Sequence, residues 1–174
     1  KPNNRYALSY YHGDPILDDK YSPLIRQIML NKHLIWRIQV SNSLVRRVLL
    51  DAGVDEEVMW QIPISIELEK FDEVTPLSRQ AIRTRLGISN DVAVIGSFQK
   101  DGQGWGKGLS PKLEKGPDVF LDALSKLTCN KKDILVLLMG PARGYVKAGL
   151  EKLGISYKHV VTNEFDELGS YYKA

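Results

Sequence analysis

The run Ile134-Leu135-Val136-Leu137-Leu138-Met139, closed by Gly140-Pro141, holds no polar side chain and is too short for a helix of its own. Bounded by a breaker pair, it reads as a strand buried on both faces, as strands inside parallel sheets are. Downstream, Tyr145 to Leu153 has helical spacing and stops at Gly154, after which Tyr157 to Val161 reads as the next strand. Strand, helix and strand in that order make a βα unit, and the pattern repeats outward in both directions. Before it stand a strand over Val92 to Phe98 and a helix opened by Gly116-Pro117-Asp118, with Phe120, Leu121, Leu124 and Leu127 inward. After it, Phe165 to Tyr172 begins a third helix.

An earlier series of the same kind fills the first third of the chain. Tyr6 to Tyr11 reads as a strand running into the breaker cluster His12-Gly13-Asp14-Pro15. Ser22 to Leu30 follows as a helix, with Ser22 as cap and Pro23 at its first position. Ile35 to Val40 is the next strand. Ser41 stands where an N-cap belongs, before a helix whose stripe is Leu44, Val45, Val48, Leu49 and Ala52 and whose C′ residue is Gly53. Val58 to Ile62, ended by Pro63, is a third strand, and Trp36 and Trp60 are expected in the core. The two series cover residues 1–65 and 91–174. Between them, 66–90 is expected to connect two domains, with a short helix opened by Thr75-Pro76, striped by Leu77, Ile82 and Leu86 and ended by Gly87. The fold class is α/β, with Rossmann-like parallel sheets flanked by helices. Five or six strands are usual in such a domain, so the second is expected to be incomplete. A first residue Lys1 and a last residue Ala174 inside a helical pattern suggest a chain cut at both ends.

Composition agrees with a globular protein: 174 residues, 43% hydrophobic and 26% charged. Disorder, collagen and coiled coil are excluded. The formal charge of +3 is too small to call for nucleic acid, whose partners usually cluster Lys and Arg on one face. A single cysteine, Cys129, forms no disulfide framework or multi-Cys zinc site, and His33 and His159 have no partner at metal-ligand spacing. No stretch approaches the roughly 18 apolar residues of a membrane span, and the first residues are no signal peptide. A cytoplasmic location is therefore expected, with peripheral membrane association left open.

Ligands of open parallel sheets bind beyond the carboxyl ends of the strands. The loop after the first strand of the second series is the longest such place. It runs Gln99-Lys100-Asp101-Gly102-Gln103-Gly104-Trp105-Gly106-Lys107-Gly108-Leu109-Ser110-Pro111-Lys112-Leu113-Glu114-Lys115-Gly116. Its four lysines and five glycines before the helix either cradle a phosphate at that helix N-terminus or form a solvated flexible loop. It is no P-loop, because Asp101 occupies the first glycine position before Gly106-Lys107. It is no dinucleotide fingerprint either, because Gly96-Ser97-Phe98 lacks the second glycine. Arg143, after Gly140-Pro141, either reaches a phosphate or is a solvated first-turn residue.

The runs Val94-Ile95-Gly96-Ser97-Phe98, Lys115-Gly116-Pro117-Asp118-Val119-Phe120 and Leu137-Leu138-Met139-Gly140-Pro141-Ala142-Arg143-Gly144 together resemble the donor domain of family 4 retaining glycosyltransferases. Ile38 to Ser43, Gly53-Val54-Asp55 and Ile62 to Glu67 resemble the same family's passage from acceptor to donor domain. The resemblance implies a GT-B enzyme: residues 1–65 as the last part of the acceptor-side domain and 91–174 as the first half of the nucleotide-sugar domain. It implies transfer of a sugar from a nucleotide diphosphate to an acceptor sugar, lipid or small molecule, with retention of configuration. Neither metal nor cofactor is implied; the nucleotide sugar is substrate. Lys115 matches the family's diphosphate-binding lysine, and Gly96 its strand-end glycine. Ser97 stands where the family has an arginine, and Lys100 is the candidate replacement. Gly140 and Pro141 match the turn that passes the nucleoside, and Val161 and Thr162 the strand end that meets the base. His12 falls where related enzymes place a histidine against the donor sugar; a structural role is the other reading. The family's glutamate motif would follow Ala174, so this piece is expected to be inactive alone. The alternative is a non-catalytic nucleotide- or carbohydrate-binding module.

Overall fold

The computed structural model describes residues 4–11, 13, 19–164 and 167–174. They divide into two compact units, Lys1–Ile66 and Glu67–Ala174. The first contains strands β1 (Tyr6–Tyr10), β2 (Ile35–Val40) and β3 (Met59–Gln61) and helices α1 (Ser22–Leu30) and α2 (Ser43–Asp51). Its three strands are parallel in the order β1-β2-β3. Ile38 and Val40 of β2 are fully buried and pack with Tyr10, Ile25, Ile28 and Leu49. Alternation places Ser9, Gln39 and Trp60 on the opposite, polar face, where the Ser9 hydroxyl donates to Gln39 Oε1 at 3.0 Å.

Trp36 and Trp60, expected in the core, are each about half exposed. Two physical causes account for this. The register slips between Tyr6 and Ala7, which pair with Ile35 and Arg37, so Trp36 is the extra residue of a bulge. Trp60 lies on the polar face of an edge strand, and the Arg37 guanidinium sits over both indoles at 5.1 and 5.2 Å. The expected caps also move by one residue. Tyr21 stands at the N-cap of α1 without a side-chain capping bond, and Asn42 rather than Ser41 caps α2, its Oδ1 accepting from the Val45 amide at 2.9 Å.

The second unit holds β4 (Ala93–Ser97), β5 (Ile134–Met139) and β6 (Ser156–Val160), again parallel and in chain order, with α3 (Pro76–Leu86), α4 (Pro117–Ser125), α5 (Gly144–Leu153) and α6 (Leu168–Tyr171). The apolar run of β5 is buried on both faces. Val136 and Leu138 pack with Leu124, Val146 and Leu150 of α4 and α5, while Leu137 and Met139 pack with Ile82 of α3 and Tyr171 of α6. Much of the stretch expected to connect the domains thus supplies a helix to the second core. Leu77 of the expected stripe is largely exposed; Ile82 alone of the three is fully enclosed. Arg83 instead is buried, its Nη1 donating to the carbonyls of Ser89 and Val92 at 2.8 and 3.0 Å and holding the chain's entry into β4.

Helix α3 begins at a reciprocal cap: Thr75 Oγ1 accepts from the Ser78 amide at 3.1 Å, and Ser78 Oγ accepts from the Thr75 amide at 3.0 Å. Thr75→Ala is expected to cost about 1 kcal/mol. Urea unfolding would show this as a lower midpoint at unchanged slope, and an unchanged midpoint would contradict it.

Candidate functional site

Parallel strands place the carboxyl ends of β4, β5 and β6 at one edge of the second sheet, and with them Gly96 and Ser97, Gly140 and Pro141, and Val161 and Thr162. The loop from Gln99 to Gly116 rises from the same edge. Its base is a short antiparallel closure: Gln103 N donates to Ser110 O at 2.8 Å, Lys112 N to Asp101 O at 2.7 Å, and Gly102 bridges Pro111.

Arg143 occupies the centre. Its Nη1 donates to the carbonyls of Ser97 and Met139, both at 2.7 Å, and its Nη2 to the Ser97 hydroxyl at 2.6 Å and to Asp101 Oδ2 at 2.9 Å. One guanidinium thus ties the last residue of β4, the last of β5 and the root of the loop. The side chains of Arg143 and Asp101 are 0% and 1% exposed, so of the two readings of Arg143 the solvated first-turn residue does not hold, and both terminal nitrogens are engaged inside the protein. Burial pushes the Asp101 carboxyl above its ordinary value, with the Arg143 charge pulling it back. The Ser97 hydroxyl is likewise engaged with Arg143 and buried. A cation does stand beside Ser97, but it arrives from a turn 46 residues away.

The glycines of the loop serve a close backbone approach. A Cβ on Gly102 or Gly108 would collide with the Ala142 carbonyl, and one on Gly144 with the Lys107 carbonyl. Ala142 itself has φ +57°, a left-handed conformation that only tight surroundings hold on a non-glycine residue. In this contact the loop offers carbonyls to a helix instead of amides to a phosphate: Lys107 O and Gly108 O accept from the Gly144 and Tyr145 amides at 2.8 and 2.9 Å. The N-terminus of α5 is thereby closed.

Helix α4 is different. Its N-cap is Gly116, at φ +63°, no side chain caps it, and Pro117 at its first position brings no N–H. Lys115 precedes it, with an exposed side chain and a carbonyl that accepts from Gln99 Nε2 at 2.7 Å. An ammonium beside an uncapped helix N-terminus is the strongest anion-favouring arrangement on this edge. Lys100, the candidate replacement for the missing arginine, lies with its Nζ 3.6 Å from the centroid of the Trp105 ring.

Gly140 has φ +84° and open space where a side chain would stand. Its amide donates to Val160 O at 3.0 Å, and its carbonyl lies 2.8 Å from His159 Nε2. Val161 is exposed, and Thr162 Oγ1 accepts from the Glu164 amide at 3.0 Å. Gly96 lies against the Phe98 ring, which a Cβ there would strike; that ring in turn stacks on Tyr172 at 4.0 Å. His12 lies outside the described residues. Among the described residues no three His, Cys, Asp or Glu side chains gather as metal ligands would, and no helix is long and apolar enough to cross a membrane.

Sequence reasoning missed Asp101, Ala142 and His159. Asp101 had one legible signal, as a lone acid near the root of a lysine-rich loop. Ala142 had none, because its conformation is imposed by the glycines opposite.

No family profile matches the chain, and no curated protein does. Solved structures do. Anabaena Alr3699/HepE in complex with UDP-glucose superposes with a TM-score of 0.66 at 19% identity, over 97% of this chain and 45% of that one. A glycosyltransferase from Rickettsia africae ESF-5 superposes with a TM-score of 0.62, also at 19% identity, over 96% of this chain and 42% of that one. The chain spans less than half the length of either structure. With the two parallel sheets and their flanking helices, the likeness shows the fold: α/β, Rossmann-like, of GT-B type.

Proposed function

We propose that this chain is the portion of a GT-B glycosyltransferase that receives a nucleotide-diphosphate sugar at the carboxyl edge of β4, β5 and β6. The observation that carries the reading is the uncapped N-terminus of α4 with Lys115 beside it, in a fold shared with a structure bound to UDP-glucose. Sugar transfer releases a nucleoside diphosphate, so charge grows on the leaving group. Donors already fixed in place stabilise that charge without reorganising. In this reading the Lys115 ammonium and the first amides of α4 hold the diphosphate, and Gly140-Pro141 lets the nucleoside pass. The backbone at Val161 and Thr162 meets the base. Ser97 and Arg143 fix the strand ends rather than touch the ligand, and Lys100 supplies charge only by leaving Trp105. Residues 1–65 belong to the acceptor-side domain, and His12 is the histidine that the family resemblance assigns to the donor sugar. The reaction class is that of family 4: transfer with retention of configuration and no metal, in the cytoplasm, to a sugar, lipid or small-molecule acceptor. The chain alone is proposed to bind without turnover.

Titration calorimetry of the chain with UDP, GDP and ADP tests this reading. One of them is expected to bind. Lys115→Ala is expected to weaken it by about 1.5 to 3 kcal/mol, roughly 10- to 150-fold, the scale of a hydrogen bond to a charged group. No binding of any of the three to the unmodified chain would sink the proposal, and unchanged affinity in Lys115→Ala would remove Lys115 from it.

A further inference from the structure

The tip of the long loop has no role in holding the fold. A Cβ on Gly104 or Gly106 would meet nothing within 4 Å, and Trp105 between them is 81% exposed. Two more apolar side chains follow at Leu109 and Leu113, 65% and 63% exposed. Lone exposed leucines need no explanation, but an indole and two leucines within nine residues, all turned to water, do.

The charge around them has one sign. Lys100, Lys107, Lys112 and Lys115 face a single exposed acid, Glu114, because Asp101 is buried against Arg143. That surplus of three equals the formal net charge of the whole chain. Lys100 covers one face of the Trp105 ring, leaving the other open. The root is held by the Asp101–Arg143 pair and by the carbonyl contacts to α5, so the tip is presented by a fixed base.

We propose that this loop is a membrane-surface anchor: Trp105 enters the headgroup region of an anionic bilayer, flanked by Leu109 and Leu113, while Lys107 and Lys112 lie among the lipid phosphates. Indole rings favour that interface, and lysines near an anionic leaflet add attraction one by one. A glycan stacked on Trp105 would find the Lys100 ammonium already over one face of the ring, and single-stranded nucleic acid would leave the two leucines without a partner. The lysines placed among the lipid phosphates, Lys107 and Lys112, are ones the diphosphate reading does not use, and Lys100 and Lys115 are left intact in the test.

The test is co-sedimentation of the chain with phosphatidylglycerol/phosphatidylcholine vesicles and with phosphatidylcholine vesicles alone. The expected result is binding to the first, weak or no binding to the second, and loss of binding as salt rises. Trp105→Ala should lower partitioning at least tenfold. Lys107→Gln combined with Lys112→Gln should lower it roughly 25-fold, from about fivefold per lysine. Trp105 and Lys107 are exposed and Lys112 is half-buried at the surface, so melting temperatures should hold, and either variant suffices if the other fails to fold. Absence of partitioning into anionic vesicles, equal binding to both vesicle types, or a folded Trp105→Ala that binds like the parent overturns the proposal. So does binding confined to an oligosaccharide or a single-stranded oligonucleotide.

Discussion

Arg143→Ala is expected to destabilise the second unit by about 3–5 kcal/mol, the scale for removing one partner of a buried ion pair. The loss has three parts. The Asp101 carboxylate stays enclosed, and its Oδ1 has no partner even before the change. The carbonyls of Ser97 and Met139 lose a charged donor, as does the Ser97 hydroxyl. Urea unfolding reads the result. Replacing both partners, Arg143→Met with Asp101→Leu, should recover most of the loss, since apolar groups leave no charge stranded. A pH series adds a sign. Burial already holds the Asp101 carboxyl above its ordinary value of 3.8, and removing Arg143 raises it further. A carboxyl whose folded-state value exceeds its unfolded one is a burden above that value. The burden is relieved on protonation. The deficit of Arg143→Ala against the parent should therefore shrink as pH falls toward 4. A deficit constant from pH 7 to 4, or a single variant as stable as the parent, would contradict this account.

The second large effect is expected at Gly108. Its φ is +67° and an added Cβ would strike the Ala142 carbonyl oxygen, so Gly108→Ala meets both a conformational and a steric obstacle. A left-handed residue with a side chain costs about 1–2 kcal/mol and overpacking about 1–3, which together approach the strength of the loop's docking. We expect about 3 kcal/mol of lost stability, or release of the loop and rapid tryptic cleavage at Lys107 and Lys112. Gly104→Ala is the control, because Gly104 shares the φ of +67° but has nothing within 4 Å. It should cost about 1–2 kcal/mol and leave the loop resistant. Equal behaviour of the two variants would mean that the close approach to Ala142 contributes nothing.

Much of the fold was legible because local signals agreed with burial. Strands over Ile35–Val40 and Ile134–Met139 and the helix over Ser22–Leu30 stand where apolar runs and breakers place them, and Gly87 and Gly154 end their helices in the left-handed conformation. Periodicity could not anticipate a bulge opposite Trp36, since register depends on the neighbouring strand. Nor could it show that Arg83 rather than Leu77 turns inward, because the carbonyls that hold Arg83 lie in the loop beyond the helix. Within the candidate site, the positions of Gly140 and Val161 follow from strand order, and that of Lys115 from the helix start at Gly116-Pro117. What escaped was the pairing of Arg143 with Asp101 and Ser97. Each is ordinary in its own sequence window, and contacts between residues 42 and 46 apart leave no local trace.

In the proposed reading, where a nucleoside passes Gly140, that turn bears on where base selectivity resides. Its amide and carbonyl are both engaged with β6, through Val160 and His159, so the peptide has little left to offer a base edge. On that proposal Gly140 gives a nucleoside contact area and clearance, which any base accepts equally. Discrimination between one heterocycle and another then falls on the segment just beyond β6. Exchanging residues 161–164 should change which nucleotide is preferred, whereas altering Gly140 should change how tightly every nucleotide is held.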